Sequence, residues 1–201
     1  MKKFCLLTLL LGFFLVTGAS ARERNVNIYD EGRPVPETPV YDRSGQAVYL
    51  TDFKDNFVMA VFWSKNCRPC IRELDDLNGF YNKTKNNGIV LLLISPEEDW
   101  ETAFEQQQFL KRFGAPDLPF YVDKKGKLAG DFGIFTSPHT VLIDTNSQEI
   151  GRIHGGADLD SDAVVEYMYR IKADSSRPKE TGHCKEISKT QCIFKSYFLL
   201  F

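Results

Sequence analysis

Two cysteines with two residues between them, Cys67-Arg68-Pro69-Cys70, carry the chain's clearest chemical signal. They follow Asn56–Trp63, a nearly continuous apolar run that reads as a buried central strand. They open Arg68–Lys83, where Ile71, Leu74, Leu77 and Tyr81 recur at helical spacing. There the two-residue gap lets both sulfurs approach across one helical turn. A cysteine at a helix N-terminus faces unpaired N–H groups and the positive end of the macrodipole, which favour a thiolate. Cys67 therefore reads as the attacking thiol. Cys70, one turn in and more shielded, reads as the thiol that resolves the mixed disulfide. Pro69 suits a first turn, where its missing N–H costs little, and Arg68 adds nearby positive charge. A zinc site would want a second C-x-x-C or a His pair at ligand spacing, whereas His139, His154 and His183 are scattered. A fixed disulfide closing so small a loop would stabilise little. Redox use is the better reading, and it implies no cofactor.

Glu73 follows from helical geometry. Advancing about 100° per residue puts it about 60° from Cys70, on the flank shared with Leu77 and Phe80. Arg72, Asp75, Asp76 and Gly79 fall on the opposite side. A carboxyl beside an apolar face is partly desolvated, which raises its pKa and lets it exchange a proton with Cys70. The alternative is a solvated glutamate on the helix flank.

The elements that must position these groups can be read in order. Pro39–Tyr41 and Gln46–Leu50 flank the turn-like Asp42-Arg43-Ser44-Gly45 and predict a small hairpin. Gly88–Ile94 predicts a second buried strand. Ser95-Pro96-Glu97-Glu98 reads as the start of a helix continuing through Trp100, Phe104, Gln107 and Leu110 to Phe113, ended by Gly114 and Pro116. Phe120–Val122 suits a short strand. Thr140–Asp144 and Glu149–His154 predict another hairpin, and Asp158–Lys172 a closing helix capped by Asp158 or Asp160. The order β-β-β-α-β-α-β-β-α implies an α/β fold with a mixed sheet and helices on its faces.

Both ends lie outside that pattern. Lys2 and Lys3, the apolar Phe4–Val16 and the small-residue Ala19-Ser20-Ala21 read as an export signal over residues 1–21. An uncleaved N-terminal anchor is the alternative. Removal takes Cys5, Lys2 and Lys3 with it, leaving 23 basic and 27 acidic residues, a net charge of −4. Residues 22–35, polar and holding Pro34, read as a flexible lead-in. The domain is expected over 36–172 and a C-terminal extension over 173–201. In an oxidising compartment Cys184 and Cys192, in that extension, read as a local structural disulfide. A second redox pair, or a metal site including His183, are the alternatives. Ile193–Phe201 is apolar and too short to span a membrane. The whole chain has 201 residues, a net charge of −2, 43% hydrophobic and 26% charged residues. That composition excludes a disordered chain and a multi-span membrane protein, and gives no electrostatic case for nucleic acid.

Taken together, the export signal, the first hairpin, Phe62-Trp63-x-x-x-Cys67-x-Pro69-Cys70 and Ser137-Pro138-His139-Thr140-Val141-Leu142-Ile143-Asp144 resemble the TlpA/ResA-like thiol-disulfide oxidoreductases of the thioredoxin superfamily. The resemblance covers about residues 36–172. It implies a thioredoxin-like fold with an N-terminal β-hairpin extension. It also implies a cis Pro138 facing the two cysteines, with the Ser137 backbone open to an extended client segment. It supports Glu73 and sets Trp63 beneath the site as a client-binding aromatic, although a buried strand Trp is also plain core. Two positions depart from the family pattern: Asn66 stands where Trp usually precedes the first cysteine, and Asp75 where Pro usually stands two residues after the glutamate.

By that resemblance the chain is expected to be an exported, periplasmic or otherwise extracytoplasmic reductase. Its partners would be client proteins bearing disulfides or thiols, such as apocytochromes c or copper-site proteins, and a membrane-bound reductant. A copper metallochaperone using cysteine ligands is one alternative. A peroxiredoxin-like peroxidase is another, but Ala60 and Ser64 occupy the Pro and Thr positions of its P-x-x-x-T-x-x-C motif.

Overall fold

The computed structural model describes residues 25–155 and 159–176. Within them one sheet holds eight strands: β1 (Asn25–Pro34), β2 (Val40–Tyr41), β3 (Ala47–Val48), β4 (Phe57–Phe62), β5 (Ile89–Pro96), β6 (Phe120–Asp123), β7 (His139–Ile143) and β8 (Gln148–His154). Their order is β1-β8-β7-β4-β5-β6-β2-β3. Strands β4, β5 and β6 run parallel, and every other neighbouring pair is antiparallel. Five helices accompany the sheet: α1 (Arg68–Arg72), α2 (Leu74–Thr84), α3 (Ala103–Arg112), α4 (Lys127–Asp131) and α5 (Asp162–Ser175). This is the expected mixed sheet flanked by helices, with the β2–β3 hairpin at one edge.

Strand β4 is buried along its whole length because both faces of the sheet are covered. Its side chains alternate between two cores. Phe57, Met59, Val61 and the following Trp63 meet Leu74, Leu77 and Phe80 of α2 and Val164 and Met168 of α5. Val58, Ala60 and Phe62 face the other way, toward Leu128 of α4, Phe132 and Ile134. The fixed period of two sets the register: a one-residue slip would exchange the two cores.

The structure differs from the sequence expectation in several places. Residues 25–34 are not a flexible lead-in but strand β1, antiparallel to β8. Val26 packs against the core. Gly151 opposite Ile28 leaves the room, since a Cβ there would lie 2.6 Å from the Asn27 carbonyl oxygen. Pro34 sits at the end of this edge strand, where a missing N–H is tolerated.

The helix expected over 68–83 is two helices meeting at Glu73. The helix expected to start at Ser95 does not start there. Ser95 and Pro96 finish β5, Glu97–Asp99 form a 3₁₀ turn, and α3 begins at Ala103. The Ser95 hydroxyl is occupied in accepting from Trp100 Nε1 (2.8 Å) and Gln106 Nε2 (3.1 Å). The real cap is Thr102, whose hydroxyl accepts from the Glu105 N–H at 3.1 Å.

Helix α4 was not anticipated. Its start is held by Asp123, which accepts from the N–H groups of Leu128 (2.9 Å) and Ala129 (2.8 Å). Helix α5, expected over Asp158–Lys172 with Asp158 or Asp160 as its cap, starts after Ser161 and runs to Ser175, beyond the expected domain end at 172. Asp160 pairs with Lys83 instead, at 2.8 Å. Asp158, residues 1–21, and Cys184 and Cys192 with their expected pairing lie outside the described residues.

Candidate active site

The site sits where β4 runs out. Trp63 still belongs to the sheet through its N–H to Ile94 O (3.0 Å), and the chain then turns. The Cys67 N–H donates to Ser64 O (3.1 Å), which brings Cys67 to the N-cap of α1 with extended backbone. There its Sγ accepts from the Cys70 N–H at 3.2 Å. This first-turn N–H has no partner earlier in the helix, so the sulfur satisfies it. Cys67 and Cys70 are joined as a disulfide with Cα atoms 5.3 Å apart. Cys70 is 2% exposed and Cys67 half-buried, so Cys67 is the sulfur a second protein can reach.

Strand β7 brings the second part of the site. The Ser137–Pro138 bond is cis. Pro138 O accepts from Gly155 N (3.1 Å), which ties this loop to the end of β8. The Ser137 carbonyl oxygen lies 3.4 Å from Cys67 Sγ. Seventy residues of chain separate these two atoms, and the β4–β7 pairing, with Phe62 opposite His139, brings them together.

Glu73 occupies the junction of α1 and α2 and is half-buried. Desolvation pushes its carboxyl up to about 7, helped by the Asp76 carboxylate and opposed by the Arg72 guanidinium. A group with that value can take and return a proton near neutrality.

The remaining sequence candidates divide. Ser137 and Pro138 stand beside the sulfur as expected. Trp63 does not reach the client side. It is 1% exposed and packs against Trp100 (centroids 5.8 Å apart) and Phe109 (6.0 Å), so it supports the site from below.

Sequence reasoning missed two groups. Asp99 is 5% exposed and bonds the segment ahead of Cys67: its Oδ2 accepts from the Lys65 N–H (3.0 Å) and its Oδ1 from Asn66 Nδ2 (3.2 Å). Only the run Glu97-Glu98-Asp99 hinted at it, and that run reads as an acidic helix start. His139 follows the cis proline, is 4% exposed and stacks edge-on against His154 with ring centroids 4.3 Å apart. Burial, then His154 and Arg152, hold its imidazole down to about 4.

The chain is similar to known proteins over more than half of its length. A model of the AhpC/TSA family matches residues 32–149. The thiol-disulfide oxidoreductase ResA of Bacillus cereus is 29% identical over 161 residues, covering 80% of this chain and 88% of its own length. ResA of Halalkalibacterium halodurans is 28% identical over 134 residues, 67% of this chain and 73% of its own. Among solved structures, a thiol:disulfide interchange protein from a Bacteroides species superposes with a TM-score of 0.55 at 24% identity, covering 78% of this chain and 97% of that one. The thioredoxin domain of a thiol-disulfide oxidoreductase from Bacteroides vulgatus gives a TM-score of 0.54 at 26% identity, covering 68% and 96%.

Proposed function

Because the chain belongs to the AhpC/TSA family and is a TlpA/ResA-like member of the thioredoxin superfamily, we propose that it is a thiol-disulfide oxidoreductase. It trades the Cys67–Cys70 pair with cysteines of client proteins. The observation that carries this reading is the half-exposed Cys67 Sγ at the opening of α1, within 3.4 Å of the Ser137 carbonyl. An extended client segment has an open main chain to pair with there, next to the sulfur it must meet.

In the reductase direction the Cys67 thiolate attacks one sulfur of a client disulfide. A Cys67–client bond forms, the client bond breaks, and the departing client thiolate takes up a proton. The Cys70 thiol then gives its proton to Glu73 and attacks Cys67 Sγ. The intramolecular disulfide forms, and the second client thiolate leaves and is protonated in turn. The client gains two electrons and two protons, and a membrane-bound reductant returns them to the pair. Residues 1–21 direct export or anchor the chain, so this exchange takes place outside the cytoplasm. Apocytochromes c and copper-site proteins fit as clients because the cysteines that attach haem in the one and bind copper in the other must be reduced before loading.

The test is a Cys70→Ser trap. Cys67 then has no resolving partner and retains clients as mixed disulfides, identified by mass spectrometry. A trap that captures nothing, together with a wild-type protein that leaves insulin disulfides intact, sinks the reading. Tight copper binding by the reduced protein without electron transfer would point to a metallochaperone instead.

A further inference from the structure

The segment Ser64-Lys65-Asn66, between the end of β4 and the start of α1, is held from the side by the turn after β5. Asp99 is the centre of that contact. Both of its carboxylate oxygens accept from this segment, one from the Lys65 main chain and one from the Asn66 side chain. Asn66 in turn donates its own N–H to Ser64 Oγ at 3.1 Å, and Ser64 O receives the Cys67 N–H. The Lys65 side chain lies over the Trp100 ring, 4.9 Å from its centroid, with Nζ 3.2 Å from Glu105. Three consecutive residues ahead of the reactive sulfur are thus fixed by one buried side chain and its neighbours.

The charges are unequal. The two donors to Asp99 are neutral amides. The Lys65 ammonium is spent on Glu105, and among the described residues no cation is paired with Asp99. Arg68, on the other side of Cys67, is exposed, so water screens it. A 5%-exposed carboxylate without a cation therefore stands behind the segment where a thiolate has to form.

We propose that Asp99 and Asn66 are a positioning pair that holds the Cys67 segment for attack, and that the Asp99 charge tunes the Cys67–Cys70 couple toward reducing power. The second effect follows from like-charge repulsion: a fixed anion disfavours the Cys67 thiolate and so disfavours the reduced form that contains it. Where Cys67 is ionised, disulfide plus two electrons plus one proton gives the Cys67 thiolate and the Cys70 thiol, and destabilising that product makes the pair a stronger electron donor. Asn66 is suited to this role because its amide can donate to a carboxylate.

This inference rests on the oxidoreductase reading but is tested without a client protein. Asp99→Asn removes the charge and keeps one acceptor. Asn66→Ala keeps the charge and removes one bond at an exposed position, where folding is not at risk. Ultraviolet thiolate absorbance gives the Cys67 titration, and equilibration with glutathione at a pH of about 8 gives the potential. Asp99→Asn should lower the Cys67 pKa and move the glutathione equilibrium toward dithiol by about three- to tenfold. Asn66→Ala should move that equilibrium less than twofold but slow attack on a small disulfide several-fold. Asp99→Glu should recover the charge effect. An Asp99→Asn protein that folds with an unchanged titration and equilibrium overturns the charge claim. An Asn66→Ala protein with a wild-type attack rate overturns the positioning claim. If the wild type equilibrates with glutathione yet reduces no protein disulfide, the client reading fails while these measurements still decide the inference.

Discussion

At Glu73 the same burial that makes the carboxyl useful also makes it costly. Its native pKa of about 7 exceeds the ordinary 4.5, so between those values the folded chain binds a proton that the unfolded chain has lost. Stability contributed by the group is present below pH 4.5 and disappears as pH rises through 7. Glu73→Gln should therefore gain about 1–2 kcal/mol over wild type at a pH of about 8 and nothing at about 4, measured by urea unfolding. The same variant should slow release of a trapped client and lose the neutral inflection in its pH–rate profile. His139 has the opposite sign. Its imidazole is held down to about 4 against an ordinary 6.5, so the unfolded chain binds the extra proton in that window. Acidification from 6.5 to 4 should weaken the fold, and His139→Phe should flatten that slope. Cys67, Cys70 and Glu73 were legible in the sequence because their chemistry depends on spacing along one stretch of chain. The place of Pro138 beside them came only through a family pattern. Asp99 and His139 were not legible, because their partners lie on other strands and loops and no local period marks them.

Among the elements, long apolar runs were readable and polar edges were not. Strands β4, β5 and β7 announce themselves because both their faces are covered. Strand β1 hides its nature in a polar stretch, and its pairing depends on a glycine more than a hundred residues away. Gly151→Val should force the Asn27 carbonyl aside, cost about 1–3 kcal/mol and expose residues 25–34 to limited proteolysis, while the Cys67 titration stays unchanged. Helix α3 shows a different failure. Ser95-Pro96-Glu97-Glu98 has every local sign of a helix start, but the Ser95 hydroxyl is drawn into bonds with Trp100 and Gln106. Tertiary contacts moved the start to Thr102, so Thr102→Ala should cost about 1 kcal/mol in thermal unfolding and Ser95 should not behave as a cap.

For the whole molecule, the sheet serves to bring distant atoms to one end. The disulfide follows β4, the cis proline precedes β7, Asp99 follows β5, and all three arrive at the same rim because β4 and β5 are parallel and β7 opposes them. The mixed α/β class was legible from the order of elements; the joining of β1 to β8 was not, because an edge pairing leaves no pattern in either strand alone. That pairing has an orientation. Asn25 lies opposite His154, His154 opposite His139, and His139 opposite Phe62, so β1 begins at the rim that carries the cysteines and Pro34 ends it at the far rim. Whatever precedes Asn25 joins the domain on its reactive side. Were those upstream residues fastened to a surface, the point of attachment to the domain would be the rim that carries the sulfurs and not the opposite one.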